Sequence, residues 1–248
     1  MKPEFHSRRM LGITRSRGKM HEMQIPQEFQ IAIRDGDEPE ALFLLTVGIL
    51  GDAAASVAEN RELDAEALAS VGFAANYFDA VLSSRFRDEI SSDVQLLASA
   101  AYYLGGRPGS SFVLAKGLRE AQGESQTGKL LRKTLRSEWR DLAMPPHPLY
   151  LDWLNEIAAL MESHFAVGSH TARLIEILNW VRHLAYRSGT PRDLLLLDLT
   201  AAVALKRVKA SAWTNLPAFS GLPREVWASA IARSGFPKEL WPSQLLLG

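Results

Sequence analysis

From residue 37 onward, hydrophobic positions recur at intervals of three and four residues, the spacing that lines one face of an α-helix. One such series follows Asp64, a residue type that favours the N-cap of a helix. The series consists of Leu68, Val71, Ala75, Phe78 and Leu82. No alternating run of β-branched residues bounded by hairpin turns occurs in the sequence. The pattern therefore predicts an all-α fold.

Helix starts and breaks divide this pattern into segments. Asp37 with Pro39 and Thr190 with Pro191 each combine a capping residue with a proline in the first helical turn. Glycine and proline break the pattern at residues 105–109 and 144–148. Other predicted helices cover residues 91–104, 110–121, 127–143, 149–165, 170–186, 191–210 and 224–234. The short connections predict an irregular multi-helix bundle or solenoid of about eight to ten helices, after an extended N-terminal arm at residues 1–36.

The composition is typical of a chain that buries a sizeable core, because 47% of the 248 residues are hydrophobic and 23% are charged. There is no cysteine, which excludes disulfides and thiolate metal sites and fits a reducing compartment. The longest apolar run, residues 194–205, is interrupted by Asp198 and is far shorter than the roughly 20 residues of a membrane span. The expectation is a soluble protein of the cytoplasm.

Charge is distributed unevenly although the formal net charge is zero. Residues 35–93 contain thirteen acidic residues and three arginines, whereas residues 107–140 contain eight basic and three acidic residues. Residues 1–24 contain six basic and two acidic residues. The asymmetry suggests a basic surface for a polyanion or an acidic partner, and an acidic surface that docks a partner or shields nucleic acid. Helical proteins also scatter charge without such roles.

A basic series lies within the predicted helix at residues 127–143. It consists of Lys129, Arg132, Lys133, Arg136 and Arg140. Their spacing predicts one cationic face, opposite a core-facing stripe that includes Leu131, Leu135, Trp139 and Leu142. Five cations on one face can neutralise several phosphates of DNA or RNA. A solvated outer face without a ligand is the alternative, because no aromatic side chains interleave with these cations.

Other motifs carry little chemistry. Residues 123–129 match the Gly-x4-Gly-Lys part of a phosphate-binding loop, but Leu130 stands where a hydroxyl would bind magnesium. His164, His170 and His183 lack the spacing of a helical zinc site. No clustered acid, base and nucleophile can be assembled from spacing, so we expect no catalytic residue and no metal site within this chain.

A segment near the end of the sequence carries a resemblance to a known family. Residues 235–244, with Gly235, Phe236 and the glutamine Gln244 after Pro242, resemble the Q motif that precedes the ATP-binding loop of superfamily 2 (DEAD/DEAH-box-like) helicases. The amide of a glutamine offers a donor and an acceptor side by side, which matches an adenine edge. The resemblance implies ATP and magnesium in the parent helicase, with Gln244 on the adenine and Trp227 or Phe236 stacked on the base.

The start of the chain adds a second resemblance. Residues 11–28 and the Ala-Tyr-Tyr-Leu-Gly-Gly segment at residues 101–106 are similar to the N-terminal region of Hachiman-type bacterial antiphage defence helicases. The resemblance implies a basic arm (1–36), a helical accessory domain (37–210), and a junction with the start of the helicase core (211–248). It also implies DNA or RNA and an effector nuclease as partners. The alternative is a free-standing helical protein-interaction scaffold without a motor.

Overall fold

A computed structural model describes residues 39–83, 93–118, 120, 124–140, 142–233 and 235–241. Over these residues the chain forms ten α-helices and no sheet, and only two isolated β-bridges occur. The prediction of an all-α fold with about eight to ten helices is therefore confirmed. The basic arm at residues 1–36 and Gln244 lie outside the described residues. The chain divides into two compact units, Met1–Glu124 and Ser125–Gly248.

The first unit contains four helices. They are α1 (Pro39–Ala58), α2 (Ala65–Leu82), α3 (Val94–Leu104) and α4 (Pro108–Gly117). Helix α3 is its centre, because it packs against both α2 and α4 and nine of its eleven residues are buried. The Asp64 side chain accepts a hydrogen bond from the Ala67 N–H, so this residue caps α2 as its sequence predicts.

The second unit contains six helices. They are α5 (Gln126–Arg136), α6 (Trp153–Val167), α7 (Thr171–Ser188), α8 (Pro191–Ala210), α9 (Ala212–Ser220) and α10 (Arg224–Ile231). Helix α8 is its centre and packs against α5, α7 and α9. Thr190 and Asp193 form a reciprocal capping box at the start of α8, and Pro191 takes the first helical position, as the sequence predicts.

One predicted boundary in the second unit is wrong. Helix α5 ends at Arg136 rather than near residue 143, because Ser137 adopts a left-handed conformation with φ of 59°. The stretch after Ser211, which is rich in Trp, Pro, Ser and Gly, forms helix α9. The Ser211 side chain caps α9 by accepting from the Thr214 N–H, and the helix accommodates Pro217.

Candidate functional site

The short segment at residues 238–240 is attached to the junction between α8 and α9. Ser211 and Glu239 form an antiparallel bridge. The Ala212 N–H donates to the Lys238 carbonyl over 2.9 Å, and the Leu240 N–H donates to the Ala210 carbonyl over 2.7 Å. The segment that leads in sequence to Gln244 is therefore joined to the central helix of the second unit by backbone hydrogen bonds.

A buried arginine strengthens this attachment. Arg207 lies on α8 with 7% of its surface exposed, and its guanidinium donates to the carboxylate of Glu239. The same guanidinium donates to the Thr134 carbonyl at the end of α5 and to the Ser137 hydroxyl just after that helix. Cations favour the C-terminal end of a helix, where carbonyl groups lack partners within the helix. Arg207 therefore connects three parts of the second unit: α5, α8 and the segment at residues 238–240.

Two stacked aromatic rings lie beside this arginine. The rings of Trp139 and Phe165 stack with their centroids 5.2 Å apart and an interplanar angle of 12°. The Arg207 guanidinium carbon lies 5.2 Å from the Trp139 centroid and 5.7 Å from the Phe165 centroid. Aromatic faces attract a cation most strongly where water is excluded. Trp139 was predicted to face the core, and it is buried, although it lies beyond the end of α5.

The two described aromatic residues of the predicted adenine site share one small cluster. Trp227 and Phe236 both pack against the buried residues Ala212, Trp213 and Ile231. The Trp227 indole N–H donates to the Ser220 hydroxyl over 3.0 Å. The structure thus brings Trp227 and Phe236 together in a packing role. Stacking on adenine by either ring stays a prediction.

The predicted cationic face of α5 is not present as such. Arg132 has only 4% of its surface exposed, so its side chain lies in the interior. Arg140 lies beyond the end of the helix and forms an ion pair with Glu162, with Nε 2.9 Å from the carboxylate oxygen. The expectation of five cations on one exposed helical face is therefore wrong, because α5 ends early and because Arg132 points inward.

The remaining three cations of that series are partly buried. Lys133 and Arg136 both form ion pairs with Glu138, over 3.4 Å and 2.7 Å. Lys129 lies in the first turn of α5, where its backbone N–H donates to the Ser125 carbonyl. A phosphate bound here would have to compete with Glu138 for two of the three cations. Binding of nucleic acid by this series stays a prediction.

The last four residues of the phosphate-loop match at residues 123–129 form the first turn of α5. Helix α4 precedes it along the described chain, in place of the strand that such loops follow. The Ser125 hydroxyl caps α5 and accepts from the Gly128 N–H over 3.1 Å. The backbone amide that would approach a phosphate is therefore used to start the helix.

One of the three histidines that lack zinc-site spacing is buried. His164 on α6 is 1% exposed, and its two ring nitrogens lie 3.0 Å from the hydroxyls of Thr171 and Ser211. Burial, together with the smaller effect of the positive charge of Arg224, lowers the pKa of His164 to about 4. Ser211 is fully buried and caps α9, so the pair has no access to a substrate from solvent. Its arrangement is that of a structural contact between α6, α7 and α9.

The described residues contain no group of three or more histidines, cysteines or carboxylates arranged to hold a metal ion. Among the helices of that same part of the chain, none has the length and apolarity needed to cross a membrane. Comparisons with protein-family models, curated proteins and solved structures found no match to the chain.

Proposed function

We propose that this chain is a helical accessory and regulatory region of an ATP-dependent nucleic-acid helicase, with antiphage defence as its setting. The motor would follow Gln244 and would bind ATP and magnesium in the cytoplasm. The chain itself would contribute no catalytic residue. Its second unit would hold residues 238–240, which precede the motor in sequence, in a fixed position. It would also help to guide DNA or RNA. An effector nuclease would be the protein partner.

The attachment of residues 238–240 is the observation that carries this proposal. The Arg207 and Glu239 side chains are only 8% and 11% exposed, so their ion pair is largely removed from water. A flexible linker would have no need for a buried charge pair and two backbone hydrogen bonds. The pair is costly to desolvate, and such pairs are best attested where they fix one arrangement of a chain. The arrangement fixed here is the position of residues 238–240, which precede Gln244 by a few residues in sequence.

A free-standing protein-interaction scaffold is the second candidate. Apolar side chains are exposed around the turn between α9 and α10, where Phe219 is 61%, Leu222 46% and Val226 54% exposed. Contiguous exposed apolar side chains are common where another protein docks. In a helicase the same surface would face the motor, so this observation is compatible with both candidates.

The gene beyond codon 248 separates the two candidates. A phosphate-binding loop with Gly-Lys-Thr shortly after Gly248 is expected of the helicase, whereas a stop codon there would reject it in favour of the scaffold. The proposed role of residues 238–240 in positioning the motor is tested in the whole protein by comparing Glu239→Gln with Glu225→Gln. The second substitution is a matched change on the exposed surface of α10. Glu239→Gln should lower ATPase stimulation by nucleic acid, and Glu225→Gln should not. Equal stimulation in both variants would contradict the positioning role of the segment.

A further inference from the structure

Helix α7 exposes aromatic side chains along its outer face. Trp180 is 49% exposed and Tyr186 is 77% exposed, although large apolar surfaces of this kind are usually covered in a soluble protein. His183 lies between them in sequence and is also exposed. Its ring stacks with Trp180, with a centroid distance of 6.3 Å and an interplanar angle of 28°. The inner face of the same helix, which includes Leu174, Ile177, Leu178 and Val181, is buried.

The three rings follow each other at steps of three residues. Side chains at this spacing are neighbours on a helix surface, and each step rises about 4.5 Å along the axis. Trp180, His183 and Tyr186 therefore form a continuous oblique row on the outside of α7. Consecutive flat rings at this spacing suit a ligand with flat groups in series, such as the bases of an unpaired strand.

The charge beside this row is positive. Between Trp180 and Arg192 the sequence contains three arginines and His183, and no carboxylate. Arg182 is turned toward α8, where its Nε lies 2.5 Å from a carboxylate oxygen of Asp198. Arg187 is exposed and lies two helical turns beyond Trp180, on nearly the same side of α7. It is the cation in position to meet a phosphate.

The acidic groups near this face have partners. Glu176, one turn before Trp180, forms an ion pair with Arg173 over 3.0 Å. The Asp193 carboxylate accepts hydrogen bonds from the hydroxyls of Thr127 and Thr190, over 2.9 Å and 2.8 Å. Neither carboxylate separates Trp180 from Arg187. The C-terminal half of α7 thus presents aromatic rings and a cation together, a combination absent from the basic series of α5.

We propose that the outer face of α7 binds single-stranded nucleic acid, with bases stacked on Trp180 and Tyr186 and a phosphate at Arg187. The choice of nucleic acid as the ligand rests on the proposed helicase function. Stacking on an aromatic ring tolerates any base, and a single cation does not distinguish sequences. The face would therefore bind unpaired strands without sequence preference and would guide a strand along the second unit.

Fluorescence anisotropy of the protein with labelled oligothymidine and oligouridine tests this proposal. Trp180→Ala and Tyr186→Ala should each weaken binding about tenfold, by loss of one stacked base, and Trp180→Phe should restore most of the affinity. Arg187→Gln should reduce the slope of log affinity against log salt by about 0.7, as expected for one phosphate contact. Phe112→Ala is the matched control, because it removes an aromatic ring from α4 that is 46% exposed, close to the 49% of Trp180, and it should leave affinity unchanged.

Several outcomes would overturn the proposal. They are no binding by the unsubstituted protein, an equal loss in Phe112→Ala, or equal affinity for duplex and unpaired DNA. Loss of a protein partner in Trp180→Ala with unchanged oligonucleotide affinity would assign the face to protein docking instead. A stop codon after Gly248 with normal stacking-dependent binding would reject the helicase and leave this face as a nucleic-acid site. If the gene encodes a motor but these substitutions leave oligonucleotide affinity unchanged, the helicase proposal stands and the nucleic-acid site on α7 is rejected.

Discussion

The guanidinium of Arg207 on α8 is hydrogen-bonded to the carboxylate of Glu239, which lies 32 residues further along the chain. Helices α9 and α10 lie between these two residues in sequence, so the contact joins the two ends of that stretch within the second unit. Since Arg207 also bonds to the end of α5, one side chain stabilises two contacts that are distant in sequence. The stability of this unit and the position of the segment that follows it are therefore linked.

Replacement of Glu239 by alanine should lower the free energy of unfolding by about 3 kcal/mol, because it leaves a buried arginine without its carboxylate. Urea denaturation at neutral pH measures the change. Glu59→Ala is the control, since Glu59 forms an exposed ion pair with Arg61 and its loss should have little effect. A loss in Glu239→Ala no larger than that in the control would show that the buried pair contributes little.

His164 should make stability fall in mild acid. Its pKa is about 4 in the folded protein and about 6.5 when unfolded, so the unfolded chain takes up a proton first as the pH falls. The contribution is complete above pH 6.5 and is lost progressively as the pH falls toward 4. From pH 7 to pH 5 we expect a loss of about 2 kcal/mol from this group. Urea denaturation of His164→Gln at both pH values should show a smaller decline, and an equal decline would assign the loss to other groups.

Gly189 should not tolerate a side chain. A methyl group there would lie 2.7 Å from the hydroxyl oxygen of buried Tyr150 and 2.8 Å from the Cα of Ala185. Gly189→Ala should therefore destabilise the protein by about 2 kcal/mol, since the backbone at Ala185 must move. Gly48→Ala on the exposed surface of α1 has no atom within 4 Å and should stabilise its helix by up to about 1 kcal/mol. Thermal unfolding measures both changes. A lower melting temperature for Gly189→Ala and a higher one for Gly48→Ala would bear out both expectations, and shifts in the same direction would contradict one of them.

Arg132 should act on folding rather than on ligand binding. Its side chain is buried, so Arg132→Ala should cost about 1–2 kcal/mol of stability through lost packing. Its affinity for oligothymidine should equal that of the unsubstituted protein wherever both are folded. Melting curves and anisotropy on the same preparation check this. A stable Arg132→Ala protein with weakened binding would restore the basic series of α5 as a nucleic-acid site.

Local signals explain why much of the fold was predictable. Thr190, Pro191 and Asp193 lie within four residues, and their capping box forms from those residues alone. The end of α5 depends on distant residues instead. Ser137 adopts a left-handed conformation and accepts a hydrogen bond from Arg207, 70 residues away. A periodic pattern in sequence cannot register such a contact, so the helix was predicted to continue.

The candidate site was less predictable than the fold for the same reason. Spacing placed Arg132 and Arg140 on one face of a helix, but their surroundings are set by where α5 ends and by Glu162 on another helix. Trp180 and Tyr186 lie six residues apart, a spacing that does not by itself mark the two rings as one binding surface. Only the packing of α7 shows which of its aromatic side chains remain outside. Exposure is a property of the folded unit rather than of a sequence window.

The bridge between Ser211 and Glu239 determines where the second unit can be shortened. A fragment that stops after α10, at the apparent end of the helices, would lack the acceptor of a buried guanidinium and one side of the bridge. It should expose a hydrophobic seam and aggregate more readily than a fragment that extends past Trp241. The C-terminal end of this folding unit therefore lies in a stretch without regular secondary structure. Helix ends are a poor guide for choosing where a fragment of the protein should stop.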